Sequence, residues 1–185
     1  MNEKELIERA KNGDKSALAK LVKEQEKTIY NFAFKICRNP EQAENIMQET
    51  FLSMVKSLHQ FDGNSKLTTW LYRIVTNHCL MAYRKKKNQF LSFDDEEIAA
   101  EYNLSSDWSA IPSNVIENNE LKDILDKAIS KLAPYYRIVF ILRDVNGYST
   151  EETGKITNLS VPAVKSRLHR ARAFLRNEIN EAFKK

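Results

Sequence analysis

Residues 149–175, STEETGKITNLSVPAVKSRLHRARAFL, constrain the fold of this chain more than any other stretch. They read as two short helices joined by a tight turn. Ser149 followed three residues later by Glu152 is a capping box, which starts a helix. Pro162 fits only the first turn of a helix, where its missing N–H leaves no gap in the hydrogen-bond ladder. Beyond it Val164, Leu168, Ala171 and Leu175 recur at i, i+4, i+7 and i+11 and so share one buried face. Pro162, Ser166 and His169 then point outward, with Lys165 and Arg170 on the flanks. A helix that is apolar behind and basic or hydroxylated in front suits the major groove of DNA.

The rest of the chain also reads as helix. Gly and Pro number only four each among 185 residues, too few for a loop-rich β protein. Residues 14–38 place Ala17, Leu18, Leu21, Val22, Ile29, Phe32, Ala33 and Ile36 at helical spacing, and Asn39-Pro40 breaks the run. From 41 to 60 a second helix carries Ala43, Ile46, Met47, Thr50, Phe51, Met54, Val55 and Leu58 as a wide buried stripe. Phe61-Asp62-Gly63-Asn64-Ser65 is a turn. Leu67, Trp70, Leu71, Ile74, Val75 and His78 mark a third helix, which runs into the basic end Tyr83–Lys87. Residues 1–90 thus form a first helical domain.

Periodicity is lost over 91–117, where Asp, Glu, Ser and Asn accumulate and Pro112 falls near the end. This is read as a flexible acidic linker. It resumes with Leu121, Ile124, Leu125, Ala128, Ile129 and Leu132. Pro134 opens the next helix and Asn146-Gly147 closes it, before the helix-turn-helix and a final helix through Phe183. The fold class predicted is all-α: two small helical domains, 1–90 and 118–185, with the linker between them.

Charge agrees with this division. The net charge of +4 is mild, but Arg84–Lys87 and Lys165, Arg167, Arg170, Arg172 and Arg176 form two basic groups around the acidic 94–107 stretch. Two polyanion-binding modules on a tether fit that order. Cys37 and Cys79 lie in apolar helical contexts, outside any metal-ligand spacing, and read as buried free thiols of a reducing cytoplasm, in preference to a disulfide. The opening MNEKELIERA is polar and acidic, unlike a signal peptide. The apolar run Ile138–Leu142 is far shorter than a membrane span.

The segment FDGNSKLTTWLYRIVTNHC, starting at Phe61, is the second landmark. Singly, Trp70 reads as core, Arg73 as a surface charge, and Asn64 and Ser65 as turn formers. Together they place an aromatic-flanked polar turn beside a basic helix, a setting that accepts an unstacked base and holds its phosphates. Asn77 offers both a donor and an acceptor to a base edge.

Three motifs in order, Ala43-Glu44-Asn45-x-x-Gln48-Glu49-Thr50-Phe51, then the Phe61 segment, then VKSRLHRAR from Val164, resemble the group IV, or extracytoplasmic-function, sigma factors of bacterial RNA polymerase. The resemblance covers nearly the whole chain. It implies that Glu44, Asn45, Gln48 and Glu49 face a coiled coil of the largest polymerase subunit. It implies that Phe61, Asn64, Ser65, Lys66 and Asn77, with Trp70 and Arg73 beside them, read and trap a flipped base of the −10 element. Lys165, Ser166, His169, Arg170 and Arg143 would face the −35 element. The linker would thread the polymerase cleft. Further partners implied are the flap of the second polymerase subunit and an anti-sigma factor, which would hold an otherwise monomeric, cytoplasmic protein, in some cases at the membrane. Departures from the pattern are Asn45 in place of Asp, Leu67 in place of Phe, Met81 in place of Asp, and Thr153-Gly154 in place of Ile-Ala.

Two other function classes are weaker on the residues alone. A stand-alone helix-turn-helix regulator normally dimerises on a symmetric site and has no use for the Gln48–Phe51 helix or the Phe61–Trp70 turn. An enzyme acting on nucleic acid would need a fixed metal geometry. The carboxylates at 94–97 are consecutive in a nonperiodic stretch, and His59, His78 and His169 lie far apart, so no catalytic residue, metal site or cofactor is assigned.

Overall fold

The computed structural model describes residues 2–89 and 119–184, and every regular element among them is helical. In order they are α1 (Glu3–Lys11), α2 (Lys15–Cys37), α3 (Pro40–Ser57) with a following 3-10 turn (Leu58–Gln60), α4 (Leu67–Gln89), α5 (Asn119–Lys131), α6 (Pro134–Phe140), α7 (Thr150–Thr157) and α8 (Val161–Phe183). Helix α6 runs on through a π turn, Ile141–Val145. The chain divides into two compact units, the first built on residues 1–86 and the second on most of the remainder. The stretch read as a linker, 91–117, lies outside the described residues.

Helix α1 adds to the three helices predicted for the first unit. It buries Leu6, Ile7 and Ala10 and packs on α2. Gly13, at φ 88°, supplies the left-handed residue that ends it. Gly13 N–H donates to the Ala10 carbonyl and Asp14 N–H to that of Arg9, the paired bonds of a Schellman stop. Asp14 then starts α2, its Oδ1 accepting from Ser16 N at 2.9 Å and Ala17 N at 3.0 Å. Arg9 Nη2 donates to Asp14 Oδ2 at 2.6 Å. The Ala17 N–H first, then Arg9, holds the Asp14 carboxyl below its ordinary value. At the far end of α2, Arg38 takes the left-handed conformation. Asn39 Oδ1 accepts from Gln42 N at 2.8 Å, and Pro40 occupies the first position of α3.

Helices α2 and α4 lie side by side in the same sense. Three contacts advance in step along both: Thr68 Oγ1 donates to Gln25 Oε1 at 2.9 Å, the Phe32 and Tyr72 rings stack with centroids 3.9 Å apart, and Cys37 Sγ lies 3.4 Å from Cys79 Sγ. Around this register Leu21, Ile29, Ala33, Met54, Leu71 and Val75 are fully enclosed and form the core. Such enclosure stabilises by about 1.5–3 kcal/mol for each large aliphatic side chain. Ser53 Oγ meets His78 Nε2 at 3.0 Å and ties α3 to α4.

In the second unit the predicted face of the last helix is the buried one. Val164, Leu168, Ala171 and Leu175 pack with Ala128, Leu132, Val139 and Phe140 in a single cluster. Recognition and terminal segments are one continuous helix, α8. Arg137 is buried and donates to the carbonyls of Ile129 (3.0 Å), Ser130 (2.6 Å) and Leu132 (2.5 Å). It thereby satisfies the carbonyls that the end of α5 leaves open. The capping box forms as expected: Ser149 N donates to Glu152 Oε2 at 2.7 Å, and Glu152 N to Ser149 Oγ at 3.1 Å.

Candidate nucleic-acid and polymerase interfaces

In α3 the residues Ala43, Ile46, Thr50, Phe51 and Met54 turn inward. Thr50 keeps its hydroxyl satisfied by donating to the Ile46 carbonyl at 2.7 Å. That rotation leaves Glu41, Glu44, Asn45, Gln48 and Glu49 on the exposed side, so the four residues assigned to polymerase share one face. Gln48 Nε2 reaches Glu44 Oε1 at 3.5 Å, one helical turn away. The same face continues into Leu52, 55% exposed, and Val55, 51% exposed. This corrects the reading of Val55 as part of the buried stripe. Met54 and Leu58 fill the core at that level, and Val55 lies a further 100° around the helix from Met54. An acidic surface adjoined by two bare aliphatic side chains is suited to a partner that is both basic and apolar.

The turn before α4 is built on Asp62. Its Oδ1 accepts from Asn64 N at 3.0 Å and its Oδ2 from Asn64 Nδ2 at 2.7 Å. The Asn64 N–H first, then the Asn64 side-chain amide, lowers the Asp62 carboxyl below its ordinary value. Gly63, at φ 75°, makes the reversal possible. Ser65 is exposed, and the Lys66 carbonyl accepts from Thr69 N and Trp70 N to begin α4. Along α4, Lys66, Trp70, Arg73 and Asn77 follow at i, i+4, i+7 and i+11 and form one stripe. Lys66, Arg73 and Asn77 are exposed and Trp70 is half-buried. Met81, 62% exposed, and Arg84 extend the stripe.

Phe61 stands apart from that stripe. It is 4% exposed and lies under Trp70, ring centroids 5.5 Å apart, with Lys11 Nζ 6.0 Å from its ring. It therefore props Trp70 from below. Lys11, on the unforeseen helix α1, is a basic residue beside this site that the motif-based reading missed.

The turn between α7 and α8 is tight. Asn158 adopts φ 56°, and Leu159 N donates to the Gly154 carbonyl at 2.9 Å. A Cβ added to Gly154 would lie 2.7 Å from the Leu159 carbonyl oxygen, so no side chain fits there. Ser160 Oγ accepts from Ala163 N at 3.3 Å and starts α8. Lys165, Ser166, His169 and Arg170 then fall together on its exposed face. Two other basic residues of α8 are engaged within the unit. Arg167 lies 5.4 Å from the centre of the Tyr135 ring, and Arg172 grips Asp144 through Nε at 2.8 Å and Nη2 at 2.7 Å. Arg143, assigned to the same DNA face, sits half-buried in the π turn, where its Nη1 donates to the Tyr148 carbonyl. Its contact is with the loop leading into α7. Among the described residues there is no cluster of side chains fit to hold a metal ion, and no helix long and apolar enough to cross a membrane.

Two known sequence families match parts of the chain. The family model "Sigma-70 region 2" matches residues 21–89, and "Sigma-70, region 4" matches residues 122–175. The ECF RNA polymerase sigma factor SigW of Bacillus subtilis (strain 168) is 34% identical over 184 residues, 96% of this chain and 97% of the relative. Two solved structures share the fold. CnrH, in complex with the cytosolic domain of CnrY, aligns with TM-score 0.62 and 23% identity over 95% of this chain and 96% of that one. The sigma factor RpoE of Bartonella quintana, in complex with the anti-sigma factor NepR, aligns with TM-score 0.59 and 24% identity over 83% and 90%. A free-standing helix-turn-helix regulator is not favoured, because the likeness to SigW runs through both units. With that identity sustained along nearly the full length of both chains, this protein belongs to the ECF family of RNA polymerase sigma factors.

Proposed function

We propose that this sigma factor recognises promoters at two points and divides the work between its two units. The observation that carries this reading is the pair of exposed polar faces. One is the Lys66–Trp70–Arg73–Asn77 stripe on α4, and the other is the Lys165–Ser166–His169–Arg170 face on α8. The first unit, 1–90, takes the −10 element. Asn64, Ser65 and Lys66 hold the strand at the turn, Asn77 pairs with an extruded base, and Trp70, propped by Phe61, stacks beside it. Stacking and pairing offset the few kcal/mol needed to extrude that base. The second unit, 118–185, sets α8 in the major groove at −35. Ser166 and His169 meet base edges, Lys165 and Arg170 meet phosphate, and Arg143 shapes the adjoining loop and reaches the backbone from there.

Binding to core RNA polymerase falls to Glu44, Asn45, Gln48 and Glu49, seated on a coiled coil of the largest subunit with Leu52 and Val55 packed alongside. The flap of the second subunit receives the second unit, and the 91–117 linker spans the distance between them. The protein performs no chemistry of its own and acts in the cytoplasm as a monomer until it meets polymerase. The RpoE–NepR complex supports the further reading that an anti-sigma protein restrains it, in some settings at the membrane. Retention of bacterial core RNA polymerase on the immobilised protein tests the docking face. Wild type should hold core, and Glu49→Lys should lower retention about tenfold or more, with helicity unchanged by circular dichroism. Equal retention by both would remove the α3 face from the polymerase contact.

A further inference from the structure

The chain contains two cysteines, and the fold brings them together. Cys37 is the last residue of α2 and Cys79 lies in α4, 42 positions on, yet their Sγ atoms are 3.4 Å apart. The contact is the third rung of the α2–α4 register, after Gln25–Thr68 and Phe32–Tyr72, and Ile36 and Val75 beside it are fully enclosed. A disulfide has its sulfurs about 2.05 Å apart. The two thiols need only approach by little more than an ångström. We infer that Cys37 and Cys79 form a peroxide-oxidised, reversible disulfide: a modification site that staples α2 to the helix bearing the DNA stripe.

The two positions differ in access, and this orders the steps. Cys37 is half-buried, whereas Cys79 is 3% exposed. Hydrogen peroxide reaches Cys37 first. The thiolate attacks one peroxide oxygen, the O–O bond breaks, and Cys37 becomes a sulfenic acid with release of one water. Cys79 Sγ then attacks Cys37 Sγ, the S–O bond breaks, and the hydroxyl leaves with the Cys79 proton as a second water. The two thiols give up two electrons and two protons, and peroxide is reduced to two waters. A small dithiol reverses the bond by exchange. Intracellular disulfides are typically transient and redox-responsive, and this pair fits that class.

The consequence is a stiffer first unit. The bond joins positions 42 apart in the unfolded chain, and a constraint of that length should raise the thermal midpoint of the first unit by about 10 °C or more. The test is mass spectrometry of the intact, full-length protein after hydrogen peroxide and thiol blocking. The expected product is a monomer lighter by two hydrogens, with the Cys37 and Cys79 peptides joined, a higher thermal midpoint, and full return on addition of dithiothreitol. In Cys79→Ala the reaction should stop at a sulfenic acid on Cys37, which dimedone traps. In Cys37→Ser, Cys79 should stay a thiol under the same dose. Disulfide-linked dimers, sulfinic acid on wild-type Cys37, or unreacted thiols in wild type would each overturn the inference, and the wild-type measurement decides even if a variant folds poorly.

Discussion

Asp62 shapes the turn on which Asn64 and Ser65 are displayed. Its two oxygens are taken up by the backbone and side-chain amides of Asn64, and those bonds hold its carboxyl below the ordinary 3.8. A depressed carboxylate steadies the folded turn wherever it is ionised in the folded state. That contribution is fully present above pH 3.8 and is lost as pH falls through the lowered folded value. The carboxyl carbon of Asp62, followed by NMR, should titrate with a midpoint below 3.8, and the Asn64 amide should broaden or shift with it. A midpoint at or above 3.8 would mean that the turn is held by other means. At this scale the sequence was legible where a side chain's role follows from its neighbours along the chain. Ser149 and Glu152 are of that kind. Phe61 is not, because Lys11, which lies against its ring, arrives from α1. Arg137 and Arg143 are not either: their partners lie only five to eight positions away, but the backbone must turn between elements to bring those carbonyls within reach.

Helices with a long apolar repeat were read correctly, and α8 is the clearest case: its four spaced apolar residues are those that enter the core. Helix α1 was missed because its nine residues carry too short a pattern to stand out from a polar leader. Val55 was misplaced because apolar identity was taken for burial, whereas the helical wheel turns it to the side of Glu44 and Gln48. Gly154 in α7 weakens its helix by local propensity alone. Glycine costs roughly 1 kcal/mol of helix propensity against alanine. Here the Leu159 carbonyl lies where a Cβ would sit, 2.7 Å away, so the missing side chain is what lets the chain turn into α8. Gly154→Ala should therefore destabilise the second unit by about 1–3 kcal/mol despite its better propensity. Thermal unfolding of the purified variant checks the sign. A rise in midpoint would mean that the α7–α8 turn relaxes easily and that the glycine has another cause.

At the scale of the whole molecule, on the proposed reading, two small interfaces bind weakly apart and strongly together once polymerase fixes their spacing. The assignments then separate by step. Lys165 lies on the exposed face of α8, and in the proposed reading it meets phosphate; Lys165→Ala should then weaken promoter binding by the holoenzyme and reduce its salt slope by about one. Asn77 is exposed on α4; Asn77→Ala should leave duplex binding intact and slow opening at −10, read by permanganate reactivity of unpaired thymines. Because the residues lie in different units, the double variant should lose the sum of the two single effects to within about 0.5 kcal/mol. A larger departure would mean that capture at −35 and melting at −10 are coupled through the polymerase-bound protein. An unchanged salt slope for Lys165→Ala would take that residue off the phosphate backbone. Equal loss of binding and opening for Asn77→Ala would make it a structural member of α4 and leave the −10 base to the Trp70 side of the stripe.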